Sequence, residues 1–181
     1  MIWFGLTEGK FCKRLSGTFI FNIQSNYMRW KYYEKSRYRR RHGLVEKLPV
    51  PIISIVEETA REAHRQHLKK LGLIGTKFTM KGDYYKKPFI QREINIVTPN
   101  EAEMDYISEK IASELEHGII NNDTRANLYA IMNRMREEEE IEGVILGCTE
   151  LPLIIDASDS PVPCLDTMKI HINSIIQRIV S

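Results

Sequence analysis

From Leu48 onward, short β-branched runs alternate with amphipathic stretches, and this alternation restricts the fold more than any other feature of the chain. The run "LPVPIISIV", bounded by prolines, predicts a buried strand. "EETAREAHRQHLKK" predicts a helix, with Glu57 and Glu58 in its first turn and Lys69 and Lys70 in its last, matched to the helix dipole. "LGLIGT" reads as a second strand ending in Gly75-Thr76, "MKGDYYKKPFIQ" as a short helix and "EINIVTP" as a third strand. Over 101–117, Met104, Ile107, Ile111 and Leu115 share one face, the pattern of an amphipathic helix. Asp123 or Thr124 is placed to cap the next helix, whose inward face is Leu128, Ile131, Met132 and Met135. "EGVILG" and "VPCLD" follow as the fourth and fifth strands, and a helix from about Met168 to Val180 closes the chain.

Strands and helices in this order imply βαβ units, hence an α/β fold with a parallel sheet covered by helices on both faces. Sheets of that kind bind ligands beyond the carboxyl ends of their strands. Polar residues collect at those ends: Thr76 after the second strand, Cys148-Thr149-Glu150 after the fourth, Asp166-Thr167 after the fifth. In "VILGCTELPLII" an apolar run stops for a thiol, a hydroxyl and a carboxylate, then resumes. A strand that only filled a core gains nothing from such a break, whereas a strand delivering groups into a cleft requires one.

A cysteine chosen at random is usually a small buried hydrophobe. At Cys148 the context favours chemistry. Gly147 lets the backbone approach a ligand closely, and amides beyond a strand end favour a thiolate, so Cys148 is expected to be the most reactive thiol of the chain. Cys164, between Pro163 and Leu165, reads as core, and His171 as a packed helix residue. Asp166 and Thr167 read as helix caps. His64 and His67 lie one turn apart with no third ligand nearby, so no metal site is expected.

The net charge of +2 conceals two unlike segments. Residues 1–47 hold eleven Lys and Arg against three Glu; residues 48–181 hold fifteen against twenty-one Asp and Glu. The first 47 residues form an atypical basic segment in which "NYMRWKYYEKSRYRRRHG" interleaves arginines with tyrosines and only "GTFIFNI" resembles a strand. Three readings rank in this order: sequence replaced by truncation or a shifted frame, a disordered tail, and a nucleic-acid-binding arm, which lacks any motif of that class. No apolar run approaches the roughly 20 residues of a membrane span. Three unpaired, scattered cysteines suit a reducing cytoplasm.

"GVILGCTELPLII" followed by "VPCLDTMKIH" resembles the aspartate/glutamate racemase family, with its GCTE-type motif and later D-T-x-x-I-H segment. "PVPIISIVEETA" and "LGLIGTKFTMKGDYY" resemble the central region of the same family, in the same order, so the likeness covers roughly 44–181. Glutamate racemases usually show histidine where Glu150 stands, which favours the aspartate-racemase branch. The resemblance implies racemisation of aspartate or glutamate without pyridoxal phosphate, metal or other cofactor. Two cysteines would face each other across a cleft, one removing the α-proton and the other returning a proton on the opposite face. Cys148 is then the acid/base of the carboxyl-terminal lobe, Thr149 and Thr76 carboxylate contacts with Thr79 beside them, and Glu150 an ammonium contact or an orienting group.

The family's first cysteine has no counterpart before "PVPIISIV", and Cys12 stands in no matching context. The domain organisation expected is therefore a 1–47 segment, remnant or replacement of a first lobe, and a racemase-like α/β domain over 48–181. An incomplete first lobe would make this chain a poor racemase on its own, or a carboxylate-binding module derived from the family. It would also expose apolar edge that favours self-association, a homodimer included.

Overall fold

The computed structural model describes residues 53–180 with their side chains and, before them, the backbone of three strands: β1 (Trp3–Leu6), β2 (Lys10–Leu15) and β3 (Thr18–Phe21). The chain divides into two compact units, Met1–Ser54 with Ile175–Ser181, and Ile55–Ser174. In the first, β1, β2 and β3 form an antiparallel sheet in that order, with Phe4 opposite Cys12 and Cys12 opposite Phe21. The strand read in "GTFIFNI" is present as β3, and two further strands precede it that the sequence reading did not anticipate. The arginine- and tyrosine-rich stretch lies outside the described residues, as does the beginning of the strand expected over 48–56.

The second unit begins with a correction. Ile55 and Val56, read as the end of a strand, open helix α1 (Ile55–Arg65). Two β-branched residues at a helix start read locally as strand. Here Val56 joins Thr59, Ala60 and Ala63 in an inward stripe, and Glu57 and Glu58 occupy the dipole-favoured first turn. The following elements are β4 (Lys70–Ile74), α2 (Lys77–Lys81), α3 (Asp83–Ile90), β5 (Asn95–Val97) and α4 (Glu101–Ser113). After a 3₁₀ turn at Leu115–His117 come α5 (Asn122–Glu139), β6 (Gly143–Leu146), a second 3₁₀ turn at Leu151–Leu153, β7 (Cys164–Asp166) and α6 (Thr167–Val180). The single helix read over 80–91 is two, divided at Gly82.

β5, β4, β6 and β7 form one parallel sheet in that order. Leaving β4, the chain crosses to β5 on one side, then returns past β4 to β6 on the other. Right-handed crossovers in opposite directions place their helices on opposite faces. Ion pairs tie the covering helices: Arg92, just after α3, to Glu57 of α1 at 3.0 Å, and Arg134 of α5 to Glu103 of α4 at 2.6 Å. The core between the layers contains Leu71, Leu73, Ile74, Ile107, Leu128 and Met132, all essentially inaccessible to solvent.

The helix caps differ in part from the sequence expectation. Asn121, not Asp123 or Thr124, caps α5, its side chain accepting the Asp123 N–H at 2.9 Å. Thr124 is buried and donates to Glu114 at 2.6 Å, tying the helix to the segment before it. α4 carries a full capping box between Asn100 and Glu103. Asp166 caps α6 as expected, accepting from the Lys169 N–H at 3.0 Å, while the buried Thr167 hydroxyl donates to the Leu146 carbonyl at 2.8 Å.

Candidate active site

The register brings three strand ends level, because Ile74 pairs with Leu146 and Leu146 with Asp166. β4 and β6 are the adjacent strands whose connections diverge, so the switch point of the sheet lies between Gly75-Thr76 and Gly147-Cys148. That crevice is where ligands bind in open α/β sheets.

The two strand ends approach closely. The Gly147 N–H donates to the Ile74 carbonyl at 2.7 Å. A Cβ at Gly147 would lie 2.9 Å from that oxygen and 3.1 Å from the Thr79 methyl. Only glycine fits this position without displacing backbone. Thr79 therefore backs onto the residue preceding Cys148. Its hydroxyl lies 3.1 Å from that of Thr76, which also caps α2 by accepting from the Thr79 N–H. The start of α2 is anchored to α4 by the Lys77 N–H to the Ser108 hydroxyl at 3.1 Å, and by Lys77 Nζ to Asp105 and to Glu101.

Beyond Gly147 the chain makes a turn in which the Leu151 N–H reaches the Cys148 carbonyl at 3.3 Å. Pro152 then enters the 3₁₀ turn that buries Leu151, which accounts for the resumption of apolar sequence. The turn folds Glu150 back so that the Cys148 thiol donates to its carboxylate at 2.8 Å. Cys148 is buried, whereas Thr149 and Glu150 are half-buried. The Thr149 hydroxyl has no hydrogen-bond partner among the described residues.

The thiol is pushed up to about 12, first by burial, then by its hydrogen bond to Glu150 and by the negative charges of Glu150 and Glu116. The Glu150 backbone amide opposes this and is outweighed. This corrects the sequence-based expectation of a thiolate: the strand-end amide is present, but burial and a carboxylate dominate it. Glu116 lies in the 3₁₀ turn after α4, and no linear signal links it to a thiol 32 positions onward.

The site thus gathers Cys148, Thr149, Glu150, Thr76 and Thr79 around one strand crossing. His171 lies buried on α6, and Cys164 sits in β7, half-buried, its thiol raised by burial and donating to the Ser160 hydroxyl at 3.2 Å. Among the described residues, no group of three His, Cys, Asp or Glu is placed to hold a metal ion, and no helix is long and apolar enough to cross a membrane.

A thiol whose pKa is raised and the hydroxyls of Thr76 and Thr79 thus lie at the switch point of a parallel sheet. The sequence matches the Asp/Glu/Hydantoin racemase family over residues 42–175, and the chain belongs to that family. It is similar to the glutamate racemase of Limosilactobacillus reuteri, 28% identical over 111 residues, which is 61% of this chain and 40% of that protein. The structure of an aspartate racemase homologue from Pyrococcus horikoshii OT3 superposes with a TM-score of 0.75 at 33% identity, over 81% of this chain and 64% of that one. A putative Asp/Glu racemase from Yersinia pestis superposes with a TM-score of 0.74 at 26% identity and the same coverage. The chain therefore spans less than two thirds of the length of these relatives.

Proposed function

We propose that this chain supplies the Cys148 half of a cofactor-independent amino-acid racemase acting on aspartate or glutamate. The observation that carries the reading is the Cys148 thiol at the switch point, held protonated by burial and by its hydrogen bond to Glu150, beside a Gly147 backed by Thr79 of the Thr76–Thr79 hydroxyl pair. For the enantiomer whose α-hydrogen faces away from Cys148, a base on the far face of Cα takes the α-proton, and Cys148 gives its own proton to the near face, becoming a thiolate. In reverse the Cys148 thiolate takes the α-proton and is restored to thiol. The Thr149, Thr76 and Thr79 hydroxyls donate to substrate carboxylates. That polarises the bond to the α-hydrogen by stabilising negative charge that develops on the carboxylate. The setting implied by the family and by the unpaired cysteines is cytoplasmic.

Two-base racemisation requires the second acid/base within roughly 3 Å of the opposite face. The segment before "PVPIISIV" contains no cysteine in a family-like context, which favours a second reading, a carboxylate-binding module without turnover. Incubating the chain with L-aspartate in deuterium oxide separates the two. Deuterium at Cα with little D-aspartate is the outcome expected of a chain with one working acid/base. Binding without any exchange would support the module instead.

A further inference from the structure

We propose that Arg125 and Tyr129 of α5 are positioning residues for Cys148: they pin the carboxyl end of the segment that follows the thiol, and so hold the turn that seats the Glu150 carboxylate on the sulfur. This rests on the reading of Cys148 as an acid/base and adds to it the helix that keeps the thiol aimed.

Arg125 and Tyr129 are four positions apart, so one face of α5 presents both. The Arg125 Nε–H donates to the Ile154 carbonyl at 2.9 Å, and a second guanidinium nitrogen donates to the Asn122 side chain at 3.2 Å, which fixes the plane of the group. The Tyr129 hydroxyl works in both directions, donating to the Asp156 carbonyl at 3.2 Å and accepting from the Asp156 N–H at 3.0 Å. α5 is itself anchored in its first turn by Thr124 to Glu114, and further along by Arg134 to Glu103.

From residues 154–156 the connection to the thiol is continuous. The Ile154 and Ile155 N–H groups donate to the Leu151 carbonyl at 3.1 and 2.9 Å, the Leu153 N–H to the Glu150 carbonyl at 3.0 Å, and the Leu151 N–H to the Cys148 carbonyl at 3.3 Å. These bonds belong largely to one 3₁₀ turn, whose hydrogen-bond geometry is poorer than that of an α-helix. Leu151 and Ile154 are buried beneath the turn, whereas Leu153 is 59% exposed. Burial of the first two holds the turn to the core, but the hydrophobic effect has no direction. The ties from α5 supply direction, and a thiol–carboxylate contact of 2.8 Å depends on it. An acid/base displaced by about 1 Å can lose about a hundredfold in rate.

The test uses two variants of the full chain. Tyr129→Phe keeps the ring and removes both of its ties; Arg125→Met keeps an apolar stem and removes the third. Iodoacetamide labelling of Cys148 is followed by peptide mass spectrometry from pH 7 to pH 9, with Cys164 in the same molecule as the reference. Each variant should label Cys148 about threefold to tenfold faster across that range, the scale of one neutral hydrogen bond, and leave Cys164 unchanged. Loss of the Arg125 charge alone would disfavour a thiolate, so acceleration in Arg125→Met reports the lost tie. In a Glu150→Gln background Tyr129→Phe should add nothing, because the carboxylate through which the tie acts is gone. The proposal is overturned if Cys148 keeps its wild-type rate, if Cys164 accelerates in step, or if Tyr129→Phe has its full effect in Glu150→Gln. Should Arg125→Met fail to fold, Tyr129→Phe decides the matter alone. Turnover enters none of these readouts: faster labelling of the variants, with no Cα exchange in wild type, would uphold the positioning role and reject the racemase reading.

Discussion

The Gly147 N–H donates to the Ile74 carbonyl across 2.7 Å, and this bond fixes the loop bearing Cys148 against the end of β4. A side chain at position 147 would press on backbone, with 2.9 Å to the Ile74 oxygen and 3.0 Å to Leu73 Cδ1. Gly147→Ala should therefore cost about 1–3 kcal/mol of stability, the range of overpacked cores. Urea unfolding checks this. A variant as stable as the parent would show that the two strand ends are not clamped.

The reactivity of Cys148 follows from its burial and its carboxylate. Iodoacetamide at neutral pH should label Cys148 no faster than Cys164, and Glu150→Gln should speed labelling at Cys148 alone. Peptide mass spectrometry after short exposures measures both rates. Rapid, preferential modification of Cys148 in the wild-type chain would mean that the thiolate predominates.

Much of this architecture was legible in sequence because it is a matter of pattern. Leu71–Ile74 and Val144–Leu146 are apolar runs followed by glycine, and both are strands whose ends reach the crevice. Met104, Ile107 and Ile111 mark the inward face of α4 and are buried there. Pattern failed where two states share it. Ile55-Val56 extends a β-branched run, yet the helix claims it through the spacing to Thr59, Ala60 and Ala63. Asn121 outranks Asp123 and Thr124 as the α5 cap because Thr124 is occupied by Glu114. The protonation of Cys148 was not legible, since it depends on a turn that brings Glu150 onto the sulfur and on Glu116 arriving from another element.

Tyr85 is buried in the core, its ring stacked on Phe89 at 6.0 Å, and among the described residues its hydroxyl is a buried side-chain group with no hydrogen-bond partner. Burial raises the phenol above its ordinary value. Tyr85→Phe removes an unpaired polar atom while keeping the ring, and should stabilise the fold by about 1 kcal/mol. A denaturation midpoint lower than wild type would indicate that the hydroxyl has a partner.

The same titrations set the alkaline limit of stability. Cys148 and Tyr85 both hold their protons more tightly folded than unfolded. Their contribution is complete below the unfolded values, 9.0 for the thiol and 10.0 for the phenol, and is lost as pH rises above them. Stability measured from pH 8 upward should fall less steeply in Cys148→Ser than in wild type. Parallel curves would remove the thiol from the cause.

Glu142 sets an acid-side counterpart. Its carboxylate accepts the backbone N–H groups of Lys69 and Lys70, the latter at 3.0 Å, and these bonds lower its pKa. Its contribution is present above 4.5 and is lost as pH falls through the lower folded value. Glu142→Gln should flatten the acid limb of the stability curve without altering Cα exchange at neutral pH. An unchanged acid limb would place the acid sensitivity elsewhere.

We propose that Cys148 transfers the α-proton. That transfer is tested most directly by the rate at which the Cα hydrogen of L-aspartate exchanges with deuterium oxide, followed by proton NMR in wild type and Cys148→Ser, with equal folding confirmed by circular dichroism. Wild type should exchange, and the serine variant should be slower by about a hundredfold or more, the contribution of a positioned acid/base. Equal exchange in the two proteins would contradict the assignment and place the proton transfer on another group.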